Sequence, residues 1–290
     1  MIIVLTGPTG SGKTKVAIEL AKALGGVILN ADAFQVYQEL NIATAKPSLE
    51  ERMQVPHYLF DFIPLNESYN VAEYQADLRG CIAELEKDNA PMIIAGGTGL
   101  YIRAALYDYE FSEDKPIDLS EYESKSNEDL HGILQNIDPE SAKAIHPNNR
   151  VRVLRAIEIY LQNGKTKTEI EANQKHELIY DAKFFGLQHE RTPLYERANA
   201  RVDEMVQQGL IEENMHLIQK YGRDCAAFKA IGVKEFFPYL DGETSLEETI
   251  ELIKKNTRNY IKRQETFFRH QFNIDWVNSA EDILKTIKND

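Results

Sequence analysis

The chain has 290 residues, a net charge of -13 and an apolar fraction of 43%, which is enough to bury a sizeable core. It has no run of about eighteen apolar residues, no basic leader and no small-residue cleavage site, so we predict neither a membrane span nor a signal peptide. We therefore expect a soluble, cytoplasmic protein without a membrane partner. Cys81 and Cys225 lack His or Cys neighbours at metal-ligand spacing, which argues against a zinc site and a disulfide framework.

Short apolar strands alternate with amphipathic helices over roughly the first hundred residues, a pattern typical of a parallel sheet built from βαβ units. We predict strands at residues 2–5, 27–29 and 91–95, and helices at residues 13–24 and 70–87. Because the second strand ends at Asn30-Ala31-Asp32, Asp32 is expected at the carboxyl edge of the sheet, where open α/β folds bind ligands. The turn at residues 96–99 is expected at the same edge.

The composition changes after Tyr107, where an acidic segment at residues 108–128 begins. We predict two bodies: a core formed by residues 1–107 and 182–290, and a mainly helical insertion at residues 108–181. The fold class is α/β, with a P-loop-type parallel sheet core flanked by helices and a smaller helical insertion domain. Further helices are predicted at residues 139–163, with a break at Pro147, and at 193–208, 212–221 and 246–271. Strands are predicted at 182–187 and, as a final edge strand, at 275–277.

A phosphate-binding loop lies between the first predicted strand and the first helix. It matches G-x-x-x-x-G-K-[ST] and consists of Gly7, Pro8, Thr9, Gly10, Ser11, Gly12, Lys13 and Thr14. In such a loop, backbone N–H groups surround phosphate oxygens, the lysine neutralises the outer phosphate and the Ser/Thr hydroxyl binds Mg²⁺. The sequence therefore predicts a ligand that carries a phosphate or diphosphate.

Asp32 is followed closely by Phe34, Gln35 and Tyr37. A carboxylate at a sheet edge can bind Mg²⁺, cap a helix or accept a proton from a nucleophile, and the residue types alone leave these three roles open. The two aromatic residues either belong to the core or its rim, or stack on a flat base.

Six segments of the chain, in this order, closely resemble the tRNA dimethylallyltransferase family, also called tRNA isopentenyltransferases. They are residues 7–14, 30–32, 44–47, 96–101, 230–235 and 257–264. The resemblance spans nearly the whole chain. It implies transfer of a dimethylallyl group from dimethylallyl diphosphate to N6 of the adenosine 3′ of the anticodon, in tRNAs reading codons that begin with U. The P-loop would then bind a leaving diphosphate.

The resemblance also implies roles for individual residues. Lys13, Thr14 and Mg²⁺ would stabilise the diphosphate, and Asp32 would act as general base. Thr98 would hydrogen-bond a bridging or leaving oxygen, although a turn hydroxyl that satisfies its own backbone is the alternative. Arg191 resembles an arginine that reaches the diphosphate, and its alternative is a surface ion pair.

Three segments would face the tRNA if the family resemblance holds. Asp32, Ala33, Phe34 and Gln35, together with Thr98, would surround the entrance for the flipped adenosine. The second and third segments are Val151, Arg152, Val153, Leu154 and Arg155, and Lys229, Ala230, Ile231, Gly232, Val233 and Lys234. Arg152 and Arg155 could instead form a solvent-facing stripe. The basic segment 254–270 could contact a polyanion, pair with the acidic insertion or form a solvated helix face.

The chain departs from the family pattern at Ala33, where serine is usual, which removes a hydroxyl next to Asp32. No Cys/His zinc finger follows Gln271, so the chain resembles a short, bacterial-type enzyme, and we expect a monomer. Three other functions remain open: an isopentenyltransferase acting on free adenylates, a small-molecule kinase, and an RNA-binding module without catalysis.

Overall fold

The protein is described here by a computed structural model that covers residues 1–111 and 117–289. Part of the predicted acidic segment, residues 112–116, lies outside the described residues. By internal contacts the chain divides into two compact units, one comprising Met1–Leu106 and Tyr180–Asp290 and the other comprising Tyr107–Ile179.

The first unit contains a six-stranded parallel sheet. Its strands are β1 (Ile2–Thr6), β2 (Val27–Asn30), β3 (His57–Tyr58), β4 (Met92–Gly96), β5 (Ala182–Leu187) and β6 (Asp275–Val277), in the spatial order β3-β2-β4-β1-β5-β6. All five residues of β1 are buried, as expected for a central strand whose two faces are covered. The parallel α/β class predicted from the sequence is confirmed.

Helices connect and flank these strands. In chain order the helices of both units are α1 (Lys13–Leu24), α2 (Leu49–Arg52), α3 (Val71–Lys87), α4 (Gly99–Leu106), α5 (Ser120–Glu123), α6 (Asn127–Ile137), α7 (Pro139–Ala144), α8 (Arg150–Asn163), α9 (Lys167–Asn173), α10 (Arg191–Gln207), α11 (Leu210–Tyr221), α12 (Phe236–Leu240), α13 (Leu246–Gln271) and α14 (Ala280–Asn289). A short 3₁₀ helix spans Ala226–Lys229.

Several element boundaries follow directly from local chemistry. Asn70 and Glu73 form a capping box at the start of α3, as the sequence predicts. Helix α10 begins at Arg191 and therefore includes Pro193, which the first helical turn tolerates because its N–H would have no intrahelical partner. Strand β3 and helices α2, α4, α6, α9, α12 and α14 were not predicted. A two-residue strand is too short to give a hydrophobic period.

Two of the apolar clusters in the first unit are extensive. One lies between the sheet and helices α1 and α14, with Ile3, Leu20 and Ile283 among its buried members. The other joins residues 36–43 to α11, α12 and α13, and Leu40 and Phe236 are fully or almost fully buried in it. The second cluster fixes the chain that follows β2, which carries Asp32, against the C-terminal helices.

The second unit contains helices α5 to α9 and has its own core around Leu130, Leu134 and Ile157. The predicted break at Pro147 lies between α7 and α8. Asp138 is buried and accepts hydrogen bonds from the Ser141 and Thr168 hydroxyls, both at 2.7 Å. Within the part of the chain that the structure describes, no helix is long and apolar enough to cross a membrane.

Candidate active site

The P-loop joins the end of β1 to the start of α1, as its motif requires. Gly12 precedes the helix in the left-handed region with φ of 84°, which a residue with a Cβ adopts only with strain. Thr9, Gly10, Gly12, Lys13 and Thr14 line a cavity of about 300 Å³ at the carboxyl edge of the sheet. The motif residues Gly7, Pro8 and Ser11 shape the loop behind this lining.

Lys13 is the lysine of the P-loop motif, and its Nζ donates a hydrogen bond to the Pro8 carbonyl at 2.8 Å. Burial lowers the pKa of Lys13 to about 7, although the nearby Asp32 carboxylate opposes that shift. An incoming polyanion would favour the charged form again, since opposite charges stabilise each other most strongly in a desolvated site. Ligand binding at this loop is therefore coupled to protonation of Lys13.

Asp32 lines the same cavity, at the end of β2. The side chain of the buried Asn30 fixes the backbone of Asp32. The Asn30 Oδ1 accepts from the Asp32 N–H at 3.0 Å, and the Asn30 Nδ2 donates to the Asp32 carbonyl at 3.1 Å. The Asp32 Oδ1 accepts a hydrogen bond from the Phe34 N–H at 3.0 Å, and the backbone N–H of Gln35 also interacts with this carboxylate. Burial raises the pKa of the Asp32 carboxyl against the effects of Phe34 and Lys13, which makes it a better proton acceptor than an exposed aspartate.

Thr98 contacts the residue that follows Asp32 and does not line the cavity. Its Oγ1 accepts a hydrogen bond from the Ala33 N–H at 3.0 Å, so it holds the residue after Asp32 instead of its own turn. The Tyr260 hydroxyl contacts the side chains of Thr98 and Gln264. Burial raises the pKa of Tyr260 to about 12, so this hydroxyl remains protonated at neutral pH.

The residues that follow Asp32 divide between the cavity and the core. Phe34 and Gln35 line the cavity, and the Gln35 Nε2 donates to the Thr44 carbonyl at 3.0 Å, which fixes the neighbouring loop. Tyr37 has only 3% of its surface exposed, so of the two readings considered for it the structure selects the core.

The segment 229–234 forms another part of the lining. Lys229, Ala230, Ile231, Gly232 and Lys234 line the cavity, whereas Val233 is fully buried beneath it. Both backbone polar groups of Gly232 are hydrogen-bonded. Its N–H donates to the Glu235 carboxylate at 2.8 Å, and its carbonyl accepts from the Asn214 side chain at 2.7 Å. Two basic side chains are thus presented on a rigid turn.

The segment 151–155 belongs to α8 in the second unit. Val151, Arg152 and Arg155 are exposed, and Arg155 forms an ion pair with Glu158 at 2.8 Å. Val153 is fully buried in the core of that unit, so its side chain supports the helix and is not presented to a ligand.

Arg191 is placed differently from the expectation of a diphosphate contact. Its side chain is 68% exposed, lies 3.8 Å from the Glu265 carboxylate and does not line the cavity. Two other arginines, Arg201 and Arg263, do line the cavity. Arg201, ten residues further along α10, interacts electrostatically with Asp32. The only sequence signal for Arg201 is its position seven residues after the buried Leu194, on the inward face of α10.

The basic segment 254–270 is largely engaged within the first unit. Lys254 pairs with Asp203 at 2.8 Å, and the Arg258 guanidinium donates to Asn199 at 2.6 Å. The Arg263 guanidinium lies 5.7 Å from the centre of the Tyr260 ring, at the cavity wall.

The oxygen ligands that the cavity offers fit an Mg²⁺ ion that binds together with a phosphate ligand. Among residues 1–111 and 117–289, no group of three or more His, Cys, Asp or Glu side chains could hold a metal alone. Thr14 supplies one hydroxyl at the cavity, and Mg²⁺ is typically bound by one or two protein oxygens, substrate phosphates and water.

The fold and cavity define a class, a parallel α/β protein with a phosphate-binding loop and a partly buried carboxylate at the edge of one sheet. The model of the IPP transferase family matches residues 35–271. The chain is 47% identical to the tRNA dimethylallyltransferase of Anoxybacillus flavithermus, over 98% of this chain and 92% of that protein. It is 41% identical to that of Bacillus subtilis, over 99% and 93%.

Solved structures agree with these relatives. A tRNA isopentenylpyrophosphate transferase from Staphylococcus epidermidis aligns with a TM-score of 0.74 at 39% identity, over 99% of this chain and 97% of that one. A eukaryotic dimethylallyltransferase described as acting on tRNA aligns with a TM-score of 0.84 at 28% identity, over 99% and 79%. This chain belongs to the IPP transferase family.

Proposed function

We propose that this protein transfers a dimethylallyl group from dimethylallyl diphosphate to N6 of the adenosine 3′ of the anticodon, in tRNAs reading codons that begin with U. The product is N6-dimethylallyladenosine. One observation carries this proposal: a single cavity is lined both by a P-loop with Lys13 and by the partly buried carboxylate of Asp32. The names of its relatives support the same reaction.

The cavity has two functional ends. We call the P-loop residues Thr9, Gly10, Gly12, Lys13 and Thr14 the donor end. We call Asp32, Phe34, Gln35, the turn before α4 with Gly97, residues 229–234 and Tyr260 the acceptor end. Apolar side chains also line the cavity, at Ala43, Val202, Met205, Ile231 and Ile253, and they suit the hydrocarbon of a prenyl donor.

The chemistry follows from these two ends. The bond between the allylic carbon and the diphosphate oxygen breaks, and its electron pair stays on the diphosphate, where Lys13 and backbone N–H groups stabilise the charge. The N6 lone pair forms the new C–N bond. Asp32 accepts the N6 proton, and the pKa raised by burial makes that transfer more favourable. Mg²⁺, held by Thr14 and the diphosphate, would supply further charge neutralisation.

The acceptor must leave the stacked anticodon loop before its N6 can approach a partly buried carboxylate. Phe34 offers a flat apolar surface at the acceptor end, and Lys229 and Lys234 offer charges for the RNA backbone. A base and a phosphate occur in both tRNA and a free adenylate, and the names of the relatives favour tRNA.

The test is incubation with dimethylallyl diphosphate, Mg²⁺ and an unmodified tRNA that has adenosine 3′ of its anticodon, followed by nucleoside mass spectrometry. AMP and ATP are offered separately as acceptors. We expect a dimethylallyl mass increase on that adenosine and none on free nucleotides. Product with AMP alone would identify a free-adenylate enzyme. ATP-dependent phosphorylation, or tight tRNA binding without product, would identify a kinase or a binding module.

A further inference from the structure

Gln264 connects the two ends of the cavity through one buried carboxamide. It lies in α13, with 4% of its surface exposed. Its Oε1 accepts a hydrogen bond from the Thr9 N–H at 2.9 Å, and its Nε2 donates to the Gly97 carbonyl at 2.9 Å. Thr9 and Gly97 are distant from Gln264 in sequence, so this contact exists only in the folded protein.

Each partner of Gln264 belongs to a different end. Thr9 is a P-loop residue of the donor end. Gly97 precedes Thr98, whose hydroxyl holds the Ala33 N–H next to Asp32. The path from the P-loop to the base is therefore short: Thr9, Gln264, the 97–98 turn, Ala33 and Asp32.

The Gln264 amide packs closely against the backbone of Gly97. A Cβ on Gly97 would lie 2.2 Å from the Gln264 Nε2, so the close approach depends on glycine at that position. The Tyr260 hydroxyl contacts the Gln264 side chain as well as Thr98. A carboxamide fits because it donates with one atom and accepts with the other, which neither a carboxylate nor an apolar side chain does.

We propose that Gln264 is a positioning residue that sets the distance between the bound diphosphate and the general base. This inference rests on the proposed function, since it concerns the same reaction. Gln264 acts through Thr9 and Gly97 and does not touch the reacting atoms. A displacement of about 1 Å between reacting groups is enough to lower a rate by roughly a hundredfold, so loss of this connection should reduce turnover.

Two substitutions distinguish the two hydrogen bonds of the Gln264 side chain. Gln264→Glu keeps an oxygen for the Thr9 N–H and places a second oxygen against the Gly97 carbonyl. We expect kcat to fall about a hundredfold while the KM for dimethylallyl diphosphate changes less than about threefold. Gln264→Met removes both contacts, so we expect the same loss of kcat together with a higher KM.

Controls distinguish positioning from a structural role. Thr249→Val alters another buried polar residue of α13, whose hydroxyl donates to the Ser245 carbonyl, and it should keep the wild-type kcat. Gly97→Ala displaces the same amide without altering α13 and should reproduce the loss of kcat. Titration with inorganic diphosphate and Mg²⁺ counts the folded molecules, so that kcat is expressed per competent site.

The outcomes are separable from those of the proposed function. If the wild type forms no prenylated tRNA, the function itself fails. If the wild type is active and Gln264→Glu and Gly97→Ala have wild-type kcat per competent site, the positioning role is wrong. A reduced kcat with nearly unchanged KM in Gln264→Glu supports it, and Gly97→Ala decides the question should the Gln264 variants not fold.

Discussion

The donor end and the acceptor end of the cavity are built in different ways. The donor end comes from one continuous segment, residues 7–14, and relies on backbone N–H groups and one lysine. The acceptor end is assembled from separate parts: Asp32 after β2, the turn before α4, residues 229–234 and Tyr260 in α13. Phosphate binding therefore depends on a local loop conformation, whereas the placement of the base depends on the tertiary structure.

The largest expected effect follows from removal of the base. Asp32→Asn keeps the size of the side chain but cannot accept the N6 proton, so we expect kcat to fall about 10²- to 10⁴-fold. Single-turnover transfer to tRNA measures this effect. Asp203→Asn, which removes a half-exposed carboxylate outside the cavity, is the matched control and should retain activity. Comparable rates for Asp32→Asn and the wild type would exclude Asp32 as the base.

A smaller effect is expected when the support of the base is removed. Thr98→Val is nearly isosteric but leaves the Ala33 N–H without its acceptor, so the segment that carries Asp32 can shift. We expect kcat to fall about ten- to a hundredfold, with little change in diphosphate affinity. Thr286→Val, in α14, is the control, because its hydroxyl donates to the Asp282 carbonyl of its own helix. Equal losses in the two variants would argue against a role for Thr98.

The pH dependence of diphosphate binding tests the donor end. Because the pKa of Lys13 is lowered to about 7 in the free protein, its charged form is lost as the pH rises above that value. Binding must then restore a proton, so affinity should fall by up to about tenfold per pH unit above pH 7. Lys13→Arg stays charged, and its affinity should fall less over the same range. Calorimetry in buffers of different ionisation enthalpy measures the proton uptake, and identical uptake in both proteins would contradict this account.

The smallest effect concerns the second unit. Arg152 is exposed on α8, and its loss should weaken tRNA binding only a few-fold while reducing the slope of log affinity against log salt by about one. Lys143→Ala removes one cation from the same unit and serves as the control, because Lys143 already pairs with Glu140 at 2.7 Å. If the slope of log affinity against log salt is unchanged in Arg152→Ala, Arg152 does not contact the RNA and belongs to a solvent-facing stripe, the alternative given in the sequence analysis.

The same contrast explains what the sequence predicts and what it does not. The parallel sheet, the P-loop and the edge position of Asp32 follow from short-range patterns, and the structure has them all. Arg201 and Tyr260 line the cavity from long helices in which nothing local distinguishes them from other inward-facing residues. Arg191 resembles a site residue in sequence, but it is the first residue of α10, where its side chain is exposed and lies near Glu265.

Diphosphate affinity in the presence of Mg²⁺ at pH 7, compared between Lys13→Met and Asp32→Asn, tests the separation of the two ends most directly. We predict that Lys13→Met binds about ten- to a hundredfold more weakly, because a charged hydrogen-bond donor is lost. Asp32→Asn should bind at least as tightly as the wild type, since a negative charge near the anion is removed. A comparable loss in Asp32→Asn would contradict the account and would assign Asp32 to the metal and diphosphate instead of to the acceptor.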